Sequence, residues 1–240
     1  MTVSEQPCLV IKNVSKRYRS GRFVLRNINL QVPQGYVCGI VGAPGTGKTT
    51  LTRLLGGLIR PTTGEICIFG QNIAQDTPYY RQLVSCVLHD SALYPKFKVK
   101  DLLLWLQRLY RHWDEKRCYS LVRGFEIPLN RKVNQLSKEK HNWLSLIIAL
   151  SARPKLMIVD EPGKELSPAE KREMLKLLAQ DVVNHGTTVV FTTSIEDEIR
   201  EFADYGFRLE AGQLFPCELK KGVGHEAYMQ PFAMERMVQS

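Results

Sequence analysis

The 240-residue chain carries 33 Lys and Arg against 24 Asp and Glu, a formal charge of +9, with 44% hydrophobic and 24% charged residues. This balance can build a buried core, as one large domain or a core domain with a subdomain, and excludes a disordered polyelectrolyte. The longest strongly apolar stretch, Trp143 to Ala152, is about half of what a bilayer-spanning helix needs, and the first residues lack a secretory-leader pattern, so a cytoplasmic protein is expected.

Cys8, Cys38, Cys67, Cys86, Cys118 and Cys217 show no CxxC spacing and several lie in apolar runs, which reads as reduced core thiols rather than a zinc site. The five histidines include no close pair for a metal. A basic surface suits phosphates, nucleic acid or an anionic membrane, or is simply a solvated face. There is no aromatic-and-basic interleaving, zinc-finger spacing or internal repeat, so sequence-specific nucleic-acid binding is not expected.

In chain order, "CLVIKNV" and "FVLRNINLQV" alternate as two strands of an antiparallel hairpin joined by the basic turn "SKRYRSGR". "YVCGIV" is continuously apolar, as a parallel strand buried on both faces requires. Gly42 to Thr49 then leads into "KTTLTRLLGGL", whose Leu51, Leu54, Leu55 and Leu58 fall at helical spacing. "GEICIFG" and "LVSCVL" read as further strands. From about His89 to Leu150 the character is helical, with "VKDLLLWLQRLYRHW" and "DEKRCYSLVRGF" punctuated by Pro95 and Pro128. "KLMIVD", "SPAEKREMLKLLAQDVVN", "TTVVFTT", "IEDEIREFA" and "YGFRLE" then alternate strand and helix as a doubly wound sheet demands. The expected class is α/β, a mostly parallel sheet flanked by helices, with an N-terminal hairpin and an inserted helical subdomain. The expected division is a nucleotide-binding core over residues 1–88 and 153–215, a helical subdomain over 89–152, and a tail over 216–240 without clear period.

"GAPGTGKT", comprising Gly42, Ala43, Pro44, Gly45, Thr46, Gly47, Lys48 and Thr49 and followed by Thr50, fits GxxxxGK[ST] between a strand and a helix. Its glycines let successive N–H groups converge on phosphates, and the helix N-terminus adds partial positive charge. Lys48 would reach the β- and γ-phosphates of a nucleotide, and Thr49 would ligate Mg2+. "LMIVDEP" adds Asp160, which can hold magnesium through water, and Glu161, placed to polarise an attacking water. Alone, Asp160 would read equally well as a turn residue after a strand.

On these motifs the chain resembles an ATP-binding cassette ATPase, the nucleotide-binding subunit of an ABC transporter, over about residues 8 to 215. "RPTTGEICIFGQNI" and "ALYPKFKVKDLL" resemble segments of the exporter-type branch. The resemblance places Tyr18 against adenine, although a partly exposed hairpin aromatic would look the same. It implies a second cassette, so that each ATP lies between one chain's phosphate loop and the other's signature, commonly LSGGQ. It also implies an integral membrane subunit whose helix docks near His89 to Asp101. The cassette would then sit peripherally on the cytoplasmic face of the membrane.

"LSKEK" keeps Leu136 and Ser137 of that signature, varies at Lys138, and puts Glu139 and Lys140 in place of the second glycine and the glutamine. A carboxylate near a γ-phosphate is repulsive by up to ~4 kcal/mol at about 4 Å in an effective dielectric near 20, partly offset by Lys138 and Lys140. The plainer alternative for Glu139 is an early-helix glutamate favoured by the dipole. The family's switch histidine aligns with Ser194, too short to copy an imidazole. Its coupling glutamine aligns with His89, and its aspartate after Leu166 with Ser167. These departures imply a subunit that binds Mg-ATP, hydrolyses poorly alone, and pairs preferentially as a heterodimer. A regulatory cassette without transport, and a soluble cassette ATPase acting on nucleic acid, are the alternatives. A GTPase or kinase is disfavoured, because no NKxD-like motif follows.

Overall fold

The computed structural model describes residues 7–18, 21, 23–75, 78–88 and 93–219. Strands β1 (Pro7–Arg17) and β2 (Phe23–Pro33) pair antiparallel, as expected. The hairpin is only half of its sheet, because β4 (Thr63–Ile68) adds to the other edge of β1 and β5 (Gln71–Asn72) follows, giving the order β2-β1-β4-β5. "GEICIFG" therefore belongs to this antiparallel layer, not to the parallel core. Gly64 explains the close join: at φ +82, an added Cβ would come within 2.4 Å of the Asn13 carbonyl.

The second sheet has the order β10-β9-β3-β8-β7-β6, from β3 (Val37–Val41), β6 (Val84–Val87), β7 (Leu156–Asp160), β8 (Thr188–Thr193), β9 (Tyr205–Glu210) and β10 (Gln213–Pro216). β6, β7, β8, β3 and β9 run parallel in that spatial order, and β10 returns antiparallel on the edge. Every residue of β3, β7 and β8 is buried, which is why their sequences show no polar alternation. Period two still sorts them. Cys38, Ile40, Leu156, Ile158 and Val190 face the small sheet and α1 (Lys48–Leu55), whereas Val37, Val41, Met157, Val159, Val189 and Phe191 face the helices on the opposite side.

Those opposing helices are α3 (Val99–Leu109), α4 (Glu115–Gly124), α5 (Lys138–Ser151), α6 (Pro168–His185) and α7 (Glu196–Phe202), with a short α2 (Pro78–Leu83) ahead of β6. The helical stretch is as expected, but α3 stops at Leu109 rather than reaching Trp113. The boundary expected at residue 152 does not divide the packing. Leu144, Leu146, Ile147 and Leu150 of α5 lie in the same buried cluster as Val159 and Phe191 of the sheet. A buried ion pair adds to this join: Arg117 of α4 meets Asp181 of α6 at 2.6 Å, with Asp181 1% exposed.

The tail boundary also shifts. Phe215 and Pro216 lie within β10, the Cys217 N–H donates to the Gly206 carbonyl, and Leu219 packs on the core. A four-residue edge strand with one face exposed leaves too short a period to read. The remainder of the expected tail lies outside the described residues. All six cysteines are free thiols, three of them buried. Burial pushes the Cys8 and Cys86 thiols up to about 12, away from reactivity.

Candidate functional site

Strand β3 ends at Val41, and the glycine loop turns directly into α1. Gly45 and Gly47 take φ of +82° and +110°, conformations costly for any residue with a Cβ; at Gly47 a Cβ would also press on Leu25 at 3.0 Å. Gly47 caps α1 without a side-chain hydrogen bond, leaving that helix start without a competing side-chain acceptor. Ala43, Pro44 and Gly45 are exposed at the rim, and Thr46 is pinned by its hydroxyl donating to the Ala43 carbonyl at 2.9 Å. Thr49 and Thr50 are half-buried on the first turn. The Tyr18 hydroxyl lies 3.5 Å from the Thr50 hydroxyl, with the side chain 41% exposed. The structure thus brings Tyr18 beside the phosphate loop, with accessible surface.

Lys48 does not extend into solvent. It is 4% exposed and donates to the Gly42 carbonyl at 2.6 Å, the Ala43 carbonyl at 3.1 Å and the Ser194 hydroxyl at 3.2 Å. Its Nζ also pairs with Glu161 Oε1 at 3.0 Å.

Asp160 ends β7 and is 2% exposed. Its Oδ1 accepts from the Thr192 hydroxyl at 2.7 Å, while its Oδ2 is buried with no hydrogen-bond partner. Native proteins rarely leave such an oxygen unpaired. A cavity of about 20 Å³ lined by Asp160, Glu161, His141 and Leu88 lies beside it, large enough for one water. An orphaned, buried carboxylate oxygen next to water-sized space fits the expected Mg2+ held through water by Asp160; Thr49 is not among the residues lining that space. Oxygen donors of this kind suit a hard cation.

Glu161 has φ +47°, a left-handed conformation unusual for a side-chain-bearing residue. Its N–H donates to the Thr192 hydroxyl at 3.1 Å. One threonine on the neighbouring strand therefore fixes both carboxylate residues, donating to Asp160 and accepting from Glu161. Partial burial would raise the Glu161 carboxyl, but hydrogen bonds from Lys48 and Lys164, the Lys48 charge and the Ser194 hydroxyl overcome it and hold the group at about 2.

The switch position makes a contact that its sequence did not announce. Ser194 is short, yet its hydroxyl donates to Glu161 Oε1 at 3.0 Å while accepting from Lys48, because β8 lies directly beside β7 and delivers residue 194 to the carboxylate. Thr193, one residue earlier, donates to Glu198, which pairs with Lys171 at 2.8 Å. This ties the strand end to α6 and α7.

The signature residues lie apart from this cluster. Ser137 caps α5, accepting from the Lys140 N–H at 3.2 Å. Glu139 occupies the first helical turn, 3.6 Å from Lys140 Nζ, as the dipole reading has it. Lys138 does not offset Glu139; it reaches across to Glu165 at 3.0 Å. Ser167 caps α6 in a reciprocal box with Glu170, so a structural role accounts for it. The His89 position lies outside the described residues. Thr192, Lys164 and Glu165 were missed from the sequence. A threonine closing an apolar strand was the one available signal for Thr192.

Comparison with known proteins bears directly on this constellation. The ABC transporter family model matches residues 25–164, more than half of the chain. The chain belongs to the ABC transporter family.

Among curated relatives, this cassette is 28% identical over 244 residues to a choline transport ATP-binding protein of Bacillus subtilis, covering 97% of the chain and 64% of that protein. It is 32% identical over 235 residues to a spermidine/putrescine import ATP-binding protein of Fusobacterium nucleatum, covering 95% and 60%. Against a phosphonates import ATP-binding protein of Hydrogenovibrio crunogenus the identity is 28%, with 92% and 88% covered. The cassette thus spans less than two thirds of the first two proteins. Among solved structures, a dimeric ATP-binding cassette in a post-hydrolysis state bound to ADP and Pi superposes with a TM-score of 0.79 at 26% identity, covering 89% of this chain and 99% of that one. Among the described residues, no helix of this cassette is long and apolar enough to cross a membrane.

Proposed function

We propose that this cassette binds Mg-ATP on the Gly42–Thr50 segment, hydrolyses it slowly by itself, and serves as the ATP-binding subunit of a transporter whose membrane-spanning part is another chain. The observation carrying this reading is the convergence of Lys48, Asp160, Glu161 and Ser194 at the mouth of a glycine loop, with one Asp160 oxygen buried and unpaired. The loop N–H groups and the α1 start would bind phosphate oxygens, and Tyr18 would cover adenine. When bound, Mg2+ neutralises phosphate charge; Thr49 and Asp160 would hold it. Glu161 would orient and deprotonate the attacking water, with Ser194 fixing its Oε1.

Slow turnover follows from the other half of the site. Ser137, Lys138 and Glu139 would face ATP held by a partner cassette, and a carboxylate there opposes the γ-phosphate. Pairing with a second, different cassette carrying an unaltered signature fits this asymmetry better than self-pairing, and the chain would then sit on the cytoplasmic face of the membrane beside its transporter. Relatives whose names specify import favour uptake over the export read from two short segments. The altered positions Glu139, Ser167 and Ser194 also accommodate a regulatory cassette that binds ATP without powering transport; co-purification with a membrane protein separates the two readings. Nucleic acid is not part of the proposal.

Steady-state ATP hydrolysis and ATP affinity of the purified chain test the reading. Binding with turnover near background, abolished further by Glu161→Gln and raised by Glu139→Gly combined with Ser194→His, is the expected result. Brisk Glu161-dependent turnover by the wild type would instead make it a working homodimeric motor.

A further inference from the structure

Both oxygens of the Glu161 carboxylate are claimed within the chain. Oε1 takes Lys48 at 3.0 Å and the Ser194 hydroxyl at 3.0 Å, while Oε2 takes Lys164 at 3.0 Å. Lys164 reaches it from three residues on, across a turn closed by the Lys164 N–H donating to the Glu161 carbonyl and by Gly163 at φ +66°. The two lysines differ in their exposure. Lys48 is 4% exposed and committed to the loop, whereas Lys164 is 51% exposed; the carboxylate between them is 13% exposed.

A phosphate entering the loop must draw Lys48 away from Glu161. With no second protein cation, that step would leave a mostly buried carboxylate without a side-chain partner charge beside an incoming anion, and the carboxylate would in turn hold Lys48 more tightly. We propose that Lys164 is the counter-cation that releases Lys48 to nucleotide, keeping Oε2 of Glu161 compensated when Lys48 turns to phosphate oxygens. Lys164 acts through Glu161 and needs no contact with the nucleotide, so it is a positioning residue. The pair is exposed on its lysine side only, so its share of folding stability is modest. Its consequence falls on ligand exchange, because the two lysines share one carboxylate.

This inference rests on the nucleotide-binding reading and makes a separable claim about coupling. The test is calorimetric affinity of the full chain for a non-hydrolysable ATP analogue with Mg2+, for wild type, Lys164→Ala, Lys164→Arg, Glu161→Gln and the double variant Lys164→Ala with Glu161→Gln. Lys164→Ala is expected to bind about tenfold more weakly than wild type, and Lys164→Arg to stay within about twofold. In the Glu161→Gln background, removing Lys164 should change affinity by less than about twofold, because no charge remains to compensate. Wild-type affinity in Lys164→Ala, or an equal loss in both backgrounds, overturns the proposal while leaving nucleotide binding intact. No binding by the wild type removes the nucleotide-binding reading, and this inference with it.

Discussion

The phosphate-loop half of the site and the signature half hold their charges in different ways. Around Lys48, Asp160 and Glu161, charges are buried, shared among three strands and the start of α1, and met by backbone carbonyls and threonine hydroxyls. Around Ser137 to Lys140, the pairs are side chain to side chain on the surface: Lys138 is 80% exposed where it meets Glu165, and Glu139 is 42% exposed beside Lys140. The first half is organised before any ligand arrives. The second is a helix start whose charges can rearrange when a partner approaches.

That contrast can be broken at graded cost. Lys48→Ala removes the loop's only buried cation from the interlocked half, and ATP affinity measured by fluorescent-nucleotide titration should fall on the order of 100-fold. Thr192→Val keeps the side-chain shape but deprives both Asp160 Oδ1 and the Glu161 N–H of their partner. Denaturant unfolding should show a loss of about 3 kcal/mol, the cost of leaving buried groups unsatisfied. An effect below about 1 kcal/mol would mean the carboxylates are positioned by something other than Thr192.

Acid stability sharpens the comparison on one residue. The Glu161 carboxyl is depressed from 4.5 to about 2, so its contribution is fully present above about pH 5 and is lost as pH falls through the depressed value. Thermal unfolding from pH 7 down to pH 2 should therefore show a steeper acid limb for wild type than for Glu161→Gln, by on the order of 2 kcal/mol. Parallel curves would show that the two lysines do not stabilise the folded carboxylate. The smallest change belongs to the signature half. Lys138→Ala removes an exposed pair and should alter stability by no more than about 0.5 kcal/mol, as read by the same denaturant titration. A larger loss would mean that Lys138 and Glu165 form a structural tie between α5 and the turn after β7.

Local patterns made much of this molecule legible. Continuous apolar runs announced β3, β7 and β8, because strands covered on both faces carry no polar alternation, and leucine spacing announced α1. GAPGTGKT and the Asp160–Glu161 pair declared phosphate and metal chemistry because their residue types and strand-to-helix setting are specific. Ser137 was visible as a retained signature position and Ser167 as an altered one, and only the structure showed both to be helix caps. Which sheet β4 joins was not legible, since a short amphipathic strand suits either layer and the choice depends on an edge of β1 far away in sequence.

Sequence by itself determined the family and pointed to the glycine loop and the acidic strand end as the site, because those depend on contiguous motifs. Tertiary structure alone decided that Ser194 reaches Glu161, that Thr192 serves both carboxylate residues, and that Glu161 sits between Lys48 and Lys164. With the Lys48–Ser194 bond, these contacts join residues up to 146 positions apart. They exist because the parallel order of β3, β8 and β7 brings the C-terminal ends of three separate segments to one edge of the sheet.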